Sequence, residues 1–174
     1  LLKVPDISAH RGSSINAPEN TMSAFKQALY DLADYVELDV HLTSDNVVVV
    51  MHDSSLKRTT GLNKNIWQVS YSRIKELDAG GWFSQVYEGE PVPTLEEVIK
   101  EIGPFAKLNI EIKYNKKESD ITEYVVDIIE RNDFVDRCVV TSSDYTVLHE
   151  VKELNPAMCC LRHMVHTIQS VMWM

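Results

Sequence analysis

Polar and aliphatic residues alternate one for one in two stretches, Tyr35–Leu42 and Leu108–Lys113. A period of two belongs to a strand with one face buried. In the first stretch Val36, Leu38 and Val40 share one face, opposite Glu37, Asp39 and His41. In the second, Ile110 and Ile112 oppose Glu111 and Lys113. Two further apolar runs, 6–9 and 47–51, deliver His10-Arg11-Gly12 and His52-Asp53 at their ends. Phe25, Ala28, Leu29 and Leu32 recur at helical spacing, and Asn20 is placed to cap that helix. Thr94 and Glu97 are spaced as a capping box that opens another helix. Beyond it the pattern predicts strand 108–113, helix 119–132, strand 137–142, helix 145–154 and strand 158–163.

The linker Thr43-Ser44-Asp45-Asn46 is far shorter than the dozen or so residues of a parallel crossover. Strands 35–42 and 47–51 therefore form an antiparallel hairpin, which sets Asp39 and His52 near its base. The remaining strands alternate with helices, which implies an α/β fold with a parallel sheet, open or closed into a barrel. Residues 53–93 show no clean period and are rich in Gly, Ser, Thr and aromatics. A structureless loop of that length is unusual in a compact domain. We expect an inserted subdomain over the mouth of the site, with Trp67, Tyr71, Trp82, Phe83 and Tyr87 as its small core. There is no internal repeat.

Composition narrows the function more than the fold. At 174 residues, 44% apolar and 25% charged, the chain reads as one soluble domain spanning 1–174. A net charge of −9 argues against a general nucleic-acid surface, so an anionic substrate must be met by local cations or by metal. Cys138, Cys159 and Cys160 form neither a disulfide framework nor a CxxC pair, and their apolar settings suggest buried thiols. No apolar stretch approaches the roughly 20 residues of a membrane span, and Leu1–Asp6 does not resemble a signal peptide. The expected location is cytoplasmic, or extracytoplasmic if a membrane tether lies outside these residues.

Strand ends of a parallel α/β sheet are where sites are built. Glu37, Asp39 and Glu111 offer hard oxygen ligands suited to Mg²⁺ or Ca²⁺. Without a cation, clustered carboxylates raise one another's pKa. Arg11 suits forked phosphate recognition and Lys113 supplies a point charge. His10 and His52 can divide the proton work near neutral pH. Two simpler roles compete: Glu111 and Lys113 could only pair with each other, and His41 could either join the site or pack in the hairpin. His149 falls on a helix surface. His163 and His166 are spaced as helical neighbours with no acid nearby to complete a metal site.

His10-Arg11-Gly12, Pro18-Glu19-Asn20-Thr21, Glu37-Leu38-Asp39-Val40, His52-Asp53, Arg58-Thr59-Thr60-Gly61, Pro93-Thr94-Leu95-Glu96-Glu97 and Glu111-Ile112-Lys113 together resemble the glycerophosphodiester phosphodiesterase family. The order is kept from about residue 6 to about 115, with a looser continuation to about 163. The resemblance implies a (β/α)8 TIM-type barrel with an insertion after the hairpin. It implies hydrolysis of a glycerophosphodiester, a small-molecule substrate, to glycerol 3-phosphate and an alcohol. On that analogy His10 and His52 are the acid/base pair, Glu37, Asp39 and Glu111 hold the metal, and Arg11 and Lys113 grip the phosphate. Attack by a glycerol hydroxyl through a cyclic phosphate and direct attack by water both fit. Ser142-Ser143-Asp144 stands where the family pattern has two serines and an aromatic.

Other classes fit less well. Phospholipase C and sphingomyelinase D types also pair histidines on a barrel, but the PENT, RTTG and PTLEE segments favour the glycerophosphodiester phosphodiesterase resemblance. A barrel amidohydrolase would carry His-x-His on its first strand, which here offers only His10. A non-catalytic module would be marked by a lost ligand or histidine, and none is lost. With 47–51 as a hairpin arm, five barrel strands remain, near 7, 37, 110, 139 and 160. A closed barrel needs eight, in about 250 residues. The expectation is an incomplete barrel with an exposed apolar lining, completed by strands elsewhere or by another copy of the chain docking on Val165–Met174.

Overall fold

The computed structural model describes residues 5–115, 117–118 and 120–162. Its centre is β2 (Tyr35–Leu42), whose residues from Val36 onward are all buried. One edge of β2 is shared by two strands. β1 (Ser8–Ala9) runs parallel to its start, and β3 (Val48–Val50) runs antiparallel to its end. The other edge takes β4 (Lys107–Ile112) in parallel, followed by β5 (Cys138–Ser142) and β6 (Cys160–Arg162). The hairpin is as expected, with Val40 opposite Val50 and Leu42 opposite Val48.

The even-numbered side chains of β2 and β4 face a layer of four helices: α1 (Met22–Tyr30), α4 (Leu95–Ile102), α5 (Ile121–Arg131) and α6 (Tyr145–Leu154). Val36, Leu38, Val40, Leu108, Ile110 and Ile112 are fully buried there, against Phe25, Val98, Ile99, Val125, Ile129 and Val151. Burial of this kind contributes about 1.5–3 kcal/mol for each large aliphatic side chain. It makes the sheet a stiff base for whatever its other face carries.

That other face is not the apolar lining expected of an open barrel. Register places Glu37 beside Asn109, Asp39 beside Glu111, Glu111 beside Thr141 and Thr141 beside Leu161. Polar groups dominate it at the strand ends, and Thr141 donates to Asn109 Oδ1 at 3.0 Å. Leu161 is its most exposed aliphatic side chain. These strands form part of a TIM-type barrel.

Helix α1 begins one residue later than the spacing suggests. Its cap is Thr21, whose hydroxyl accepts from Ala24 N, and not Asn20. Leu32 lies beyond the helix with φ 61° and is 82% exposed, because the chain is already reversing into β2. Helix α6 has the expected bounds and is capped by Asp144, which accepts from Thr146 N at 2.9 Å. Asp144 therefore has a helix-capping role at the position where the family pattern carries an aromatic.

Between β3 and α4 lie α2 (Lys57–Thr60), α3 (Tyr71–Ile74) and two 3-10 turns, Ile66–Gln68 and Gln85–Tyr87. They enclose a second core that is aliphatic rather than aromatic: Val49, Met51, Leu56, Ile66, Val69, Ile74, Ala79 and Val92, with Tyr71 at its margin. Trp82, Phe83 and Tyr87 stack edge to face outside it, since large rings with polar tips suit a surface with one wet side. Among the cysteines only Cys138 is buried; Cys160 is half-buried and Cys159 exposed, all with free thiols. His149 is exposed beside Glu153. His163, His166 and Val165–Met174 lie outside the described residues. No helix among the described residues is long and apolar enough to cross a membrane.

Helix α4 presents a direct test of local coding. Thr94 Oγ1 accepts from Glu97 N at 3.2 Å, and the Glu97 carboxylate accepts from Thr94 N at 2.9 Å. Thr94→Ala removes one half of this box and should lower unfolding stability by about 1 kcal/mol, read from the urea midpoint at unchanged m-value.

Candidate active site

The turn after β1 places two of the expected residues. Arg11 and Gly12 both adopt left-handed backbone, with φ 57° and 76°. At Gly12 a Cβ would lie 2.7 Å from the Ala24 carbonyl carbon, so only glycine lets the turn press onto α1. This geometry aims the Arg11 backbone N–H at Glu37, whose Oε2 accepts at 2.6 Å. His10 continues the polar face of β1. Its Nε2 lies 4.0 Å from Glu37 Oε2, and its side chain is 63% exposed.

Glu37, Asp39 and Glu111 converge as strand alternation implies. They offer ligand oxygens within 4.8 Å of one another and are all buried. Lys113 reaches back among them, with Nζ 3.0 Å from Asp39 Oδ1 and 2.7 Å from Glu111 Oε1. Its ion pairs thus include Asp39 as well as Glu111. The Arg11 guanidinium donates to Glu19 Oε1 at 3.0 Å, and its Nε lies 3.5 Å from Asp39 Oδ2.

The electrostatics follow from burial. Burial, then the neighbouring Asp39 charge, pushes the Glu37 carboxyl up to about 8. Burial also raises Asp39, but Lys113 and an Asn20 hydrogen bond outweigh it, and the net shift is downward. Lys113 is lowered by burial and raised further by Asp39 and Glu111, so it stays charged. Glu37 Oε1 is buried without a hydrogen-bond partner among the described residues. An acceptor left bare beside two more acids is the arrangement that a hard divalent cation would complete. The donor set fits such an ion.

Asn20 does more than sequence spacing suggested. Its Nδ2 donates to Asp39 Oδ2 at 2.8 Å and its Oδ1 accepts from Asp39 N at 3.2 Å. Its φ of 57° points the side chain at β2 and leaves the capping to Thr21. The sequence offered two cap-competent residues in succession inside the Pro18-Glu19-Asn20-Thr21 segment, and neither signal says which one turns inward.

Past β3, Met51 N donates to Asp39 O at 2.9 Å, keeping the chain beside β2 until His52 is reached. His52 Nδ1 lies 2.8 Å from Asp53 Oδ1, a contact in which the ring donates to the carboxylate. His41 does not join the cluster. Its Nδ1 lies 2.9 Å from Glu118 Oε2, and its Nε2 donates to the His52 carbonyl at 3.2 Å. Glu118, buried in the loop after β4, carried no pattern in the sequence that marked it.

Residues 10–170 match the glycerophosphoryl diester phosphodiesterase family model. The chain belongs to the glycerophosphoryl diester phosphodiesterase family. That match includes all seven residues of the candidate site. A glycerophosphodiester phosphodiesterase of Caldanaerobacter subterraneus subsp. tengcongensis is 41% identical over 150 residues, covering 85% of this chain and 62% of that protein. The chain therefore spans less than two thirds of the length of such relatives. The glycerophosphodiester phosphodiesterase structure from Agrobacterium tumefaciens superposes with a TM-score of 0.83 at 32% identity, over 92% of this chain and 67% of that one. An Oleispira antarctica phosphodiesterase in complex with the product sn-glycerol-3-phosphate gives 0.85 at 34% identity, over 91% and 66%.

The raised Glu37 carboxyl has a stability consequence. Its folded-state pKa, about 8, exceeds the ordinary 4.5, so the folded chain binds the extra proton between those values. Stability then falls as pH rises through that window. With a chelator present, the wild type should lose urea stability from pH 5 to 8 more steeply than Glu37→Gln. Parallel slopes would refute the raised carboxyl.

Proposed function

We propose that the site hydrolyses glycerophosphodiesters to sn-glycerol 3-phosphate and an alcohol. The observation that carries this reading is the convergence of Glu37, Asp39 and Glu111 at the end of one sheet face, with both histidines, Arg11 and Lys113 around them. Kinship with the product-bound Oleispira antarctica enzyme supports it.

Glu37, Asp39 and Glu111 would hold a divalent cation, Mg²⁺ or Ca²⁺. When bound, such an ion offsets the phosphodiester charge and polarises a phosphoryl oxygen. The chain's own residues supply the rest. Arg11 and Lys113 bring two permanent cations to the phosphate. Burial, then the adjacent Arg11 charge, holds the His10 pKa below its usual value, which keeps its ring neutral at pH 7. His10 therefore takes the proton from the attacking oxygen, whether that of water or of a glycerol hydroxyl. His52 donates through Nδ1 to Asp53, so its Nε2 is the atom left to deliver a proton to the departing alkoxide.

The test is release of glycerol 3-phosphate from glycerophosphocholine, lost on chelation and restored by Mg²⁺ or Ca²⁺. His10→Ala and His52→Ala should each lower kcat about 10²–10⁴-fold without shifting the urea midpoint appreciably. Near-normal kcat in both variants would overturn the acid/base assignment. Absence of turnover by the wild-type chain under every cation would overturn the hydrolase reading itself.

A further inference from the structure

Two residues of the family-like segments, Glu19 and Arg58, take no part in the chemistry above, yet their contacts reach both halves of the site. Arg58 sits on α2, six residues after His52 in sequence. Its Nε and Nη2 donate to Asp53 at 2.6 and 3.2 Å. Its Nη1 and Nη2 donate to Glu19 at 3.0 and 2.7 Å. Each of these carboxylates has a second partner. Asp53 Oδ1 accepts from His52 Nδ1, and Glu19 Oε1 accepts from Arg11 Nη1. One guanidinium thus joins the carboxylate behind the acid/base histidine to the carboxylate behind the phosphate-facing arginine.

Building on the phosphodiesterase reading, we propose that Arg58 is a positioning residue that sets the orientation of His52 and Arg11 together. The planar fork is what the task requires. It fixes the separation of two carboxylates carried by different loops, which the point charge of a lysine cannot do. Without Arg58, Glu19 would keep Arg11 as its one cation among the described residues, and the arginine would be drawn away from the phosphate. Asp53, relieved of its clamp, would no longer hold the His52 Nδ1–H and fix the ring's orientation. The Trp82 ring lies 5.8 Å from the Arg58 guanidinium carbon and steadies it from the segment between β3 and α4. The downward shifts of both carboxyls agree with the geometry: Arg58 is the leading cause at Asp53, and at Glu19 Arg58 and Arg11 overcome burial.

A purely structural role makes a different forecast. Part-exposed ion pairs stabilise little, so a rim bridge would affect stability slightly and catalysis hardly at all. The experiment compares wild type, Arg58→Ala and Arg58→Lys with glycerophosphocholine and Mg²⁺ or Ca²⁺, alongside ¹⁵N NMR of the His52 ring. We expect kcat to fall about 10²-fold in Arg58→Ala, a loss of the size that misplaced reacting groups produce. KM should rise, the urea midpoint should hardly move, and Arg58→Lys should remain impaired. Added guanidinium ion should restore part of the activity of Arg58→Ala and none of Arg58→Lys. In the spectra, the His52 Nδ1–H held by Asp53 should be fixed in the wild type and lose that fixed hydrogen bond in Arg58→Ala. Full activity of Arg58→Lys, or an unchanged His52 Nδ1–H hydrogen bond in Arg58→Ala, would overturn the proposal. The NMR arm needs no turnover, so an inactive wild type would refute the hydrolase reading while the positioning role is still decided.

Discussion

Burying Glu37, Asp39 and Glu111 together at the end of one sheet face is the constraint that shapes the surrounding polar structure. Like charges in a medium of low dielectric raise each other's energy steeply. Lys113 answers Asp39 and Glu111, Arg11 approaches Asp39, and Asn20 grips Asp39 from the loop before α1. Glu37 receives a backbone N–H from Arg11 and stands 4.0 Å from His10, and burial with the Asp39 charge raises its carboxyl. The uneven distribution of cations separates the behaviour of Glu37 from that of Asp39.

Holding those partners in place requires unusual backbone. Arg11 and Asn20 are both left-handed non-glycine residues, and each makes a direct contact with an acid of the cluster. Such conformations cost of order 1–3 kcal/mol in sparsely populated regions and persist where the surroundings over-determine them. Here the determinants are visible. Gly12 packs against Ala24 without room for a Cβ, and the Asn20 amide bonds both the side chain and the backbone of Asp39.

The apolar half of the molecule makes this possible. Helices α1, α4, α5 and α6 cover the aliphatic face of β2 and β4, so the strands carrying the acids cannot shift without disturbing a close-packed core. The antiparallel return of β3 then brings His52 to Asp39 at little cost in chain length. His41 and Glu118 add a buried tie between that hairpin and the loop following Lys113. The site therefore rests on rigid elements, while its rim of Glu19, Asp53 and Arg58 is held by charge-assisted hydrogen bonds.

How much of this was legible before folding depends on range. A period of two is a property of neighbouring residues, so alternation alone placed Glu37 and Asp39 opposite Val36, Leu38 and Val40. Linker length alone made 43–46 a hairpin, and the Thr94–Glu97 spacing alone marked a helix start. The ordered motifs pointed to the family that residues 10–170 match. Contacts between distant segments had no such signature. Asn20 left its expected capping role for Asp39, nineteen residues away, and His41 met Glu118 at a separation of 77. Arg58 found Glu19 across 39 residues. These partners are chosen by how loops pack and which residues turn left-handed, and that is settled only when the whole sheet and its helices have closed around them.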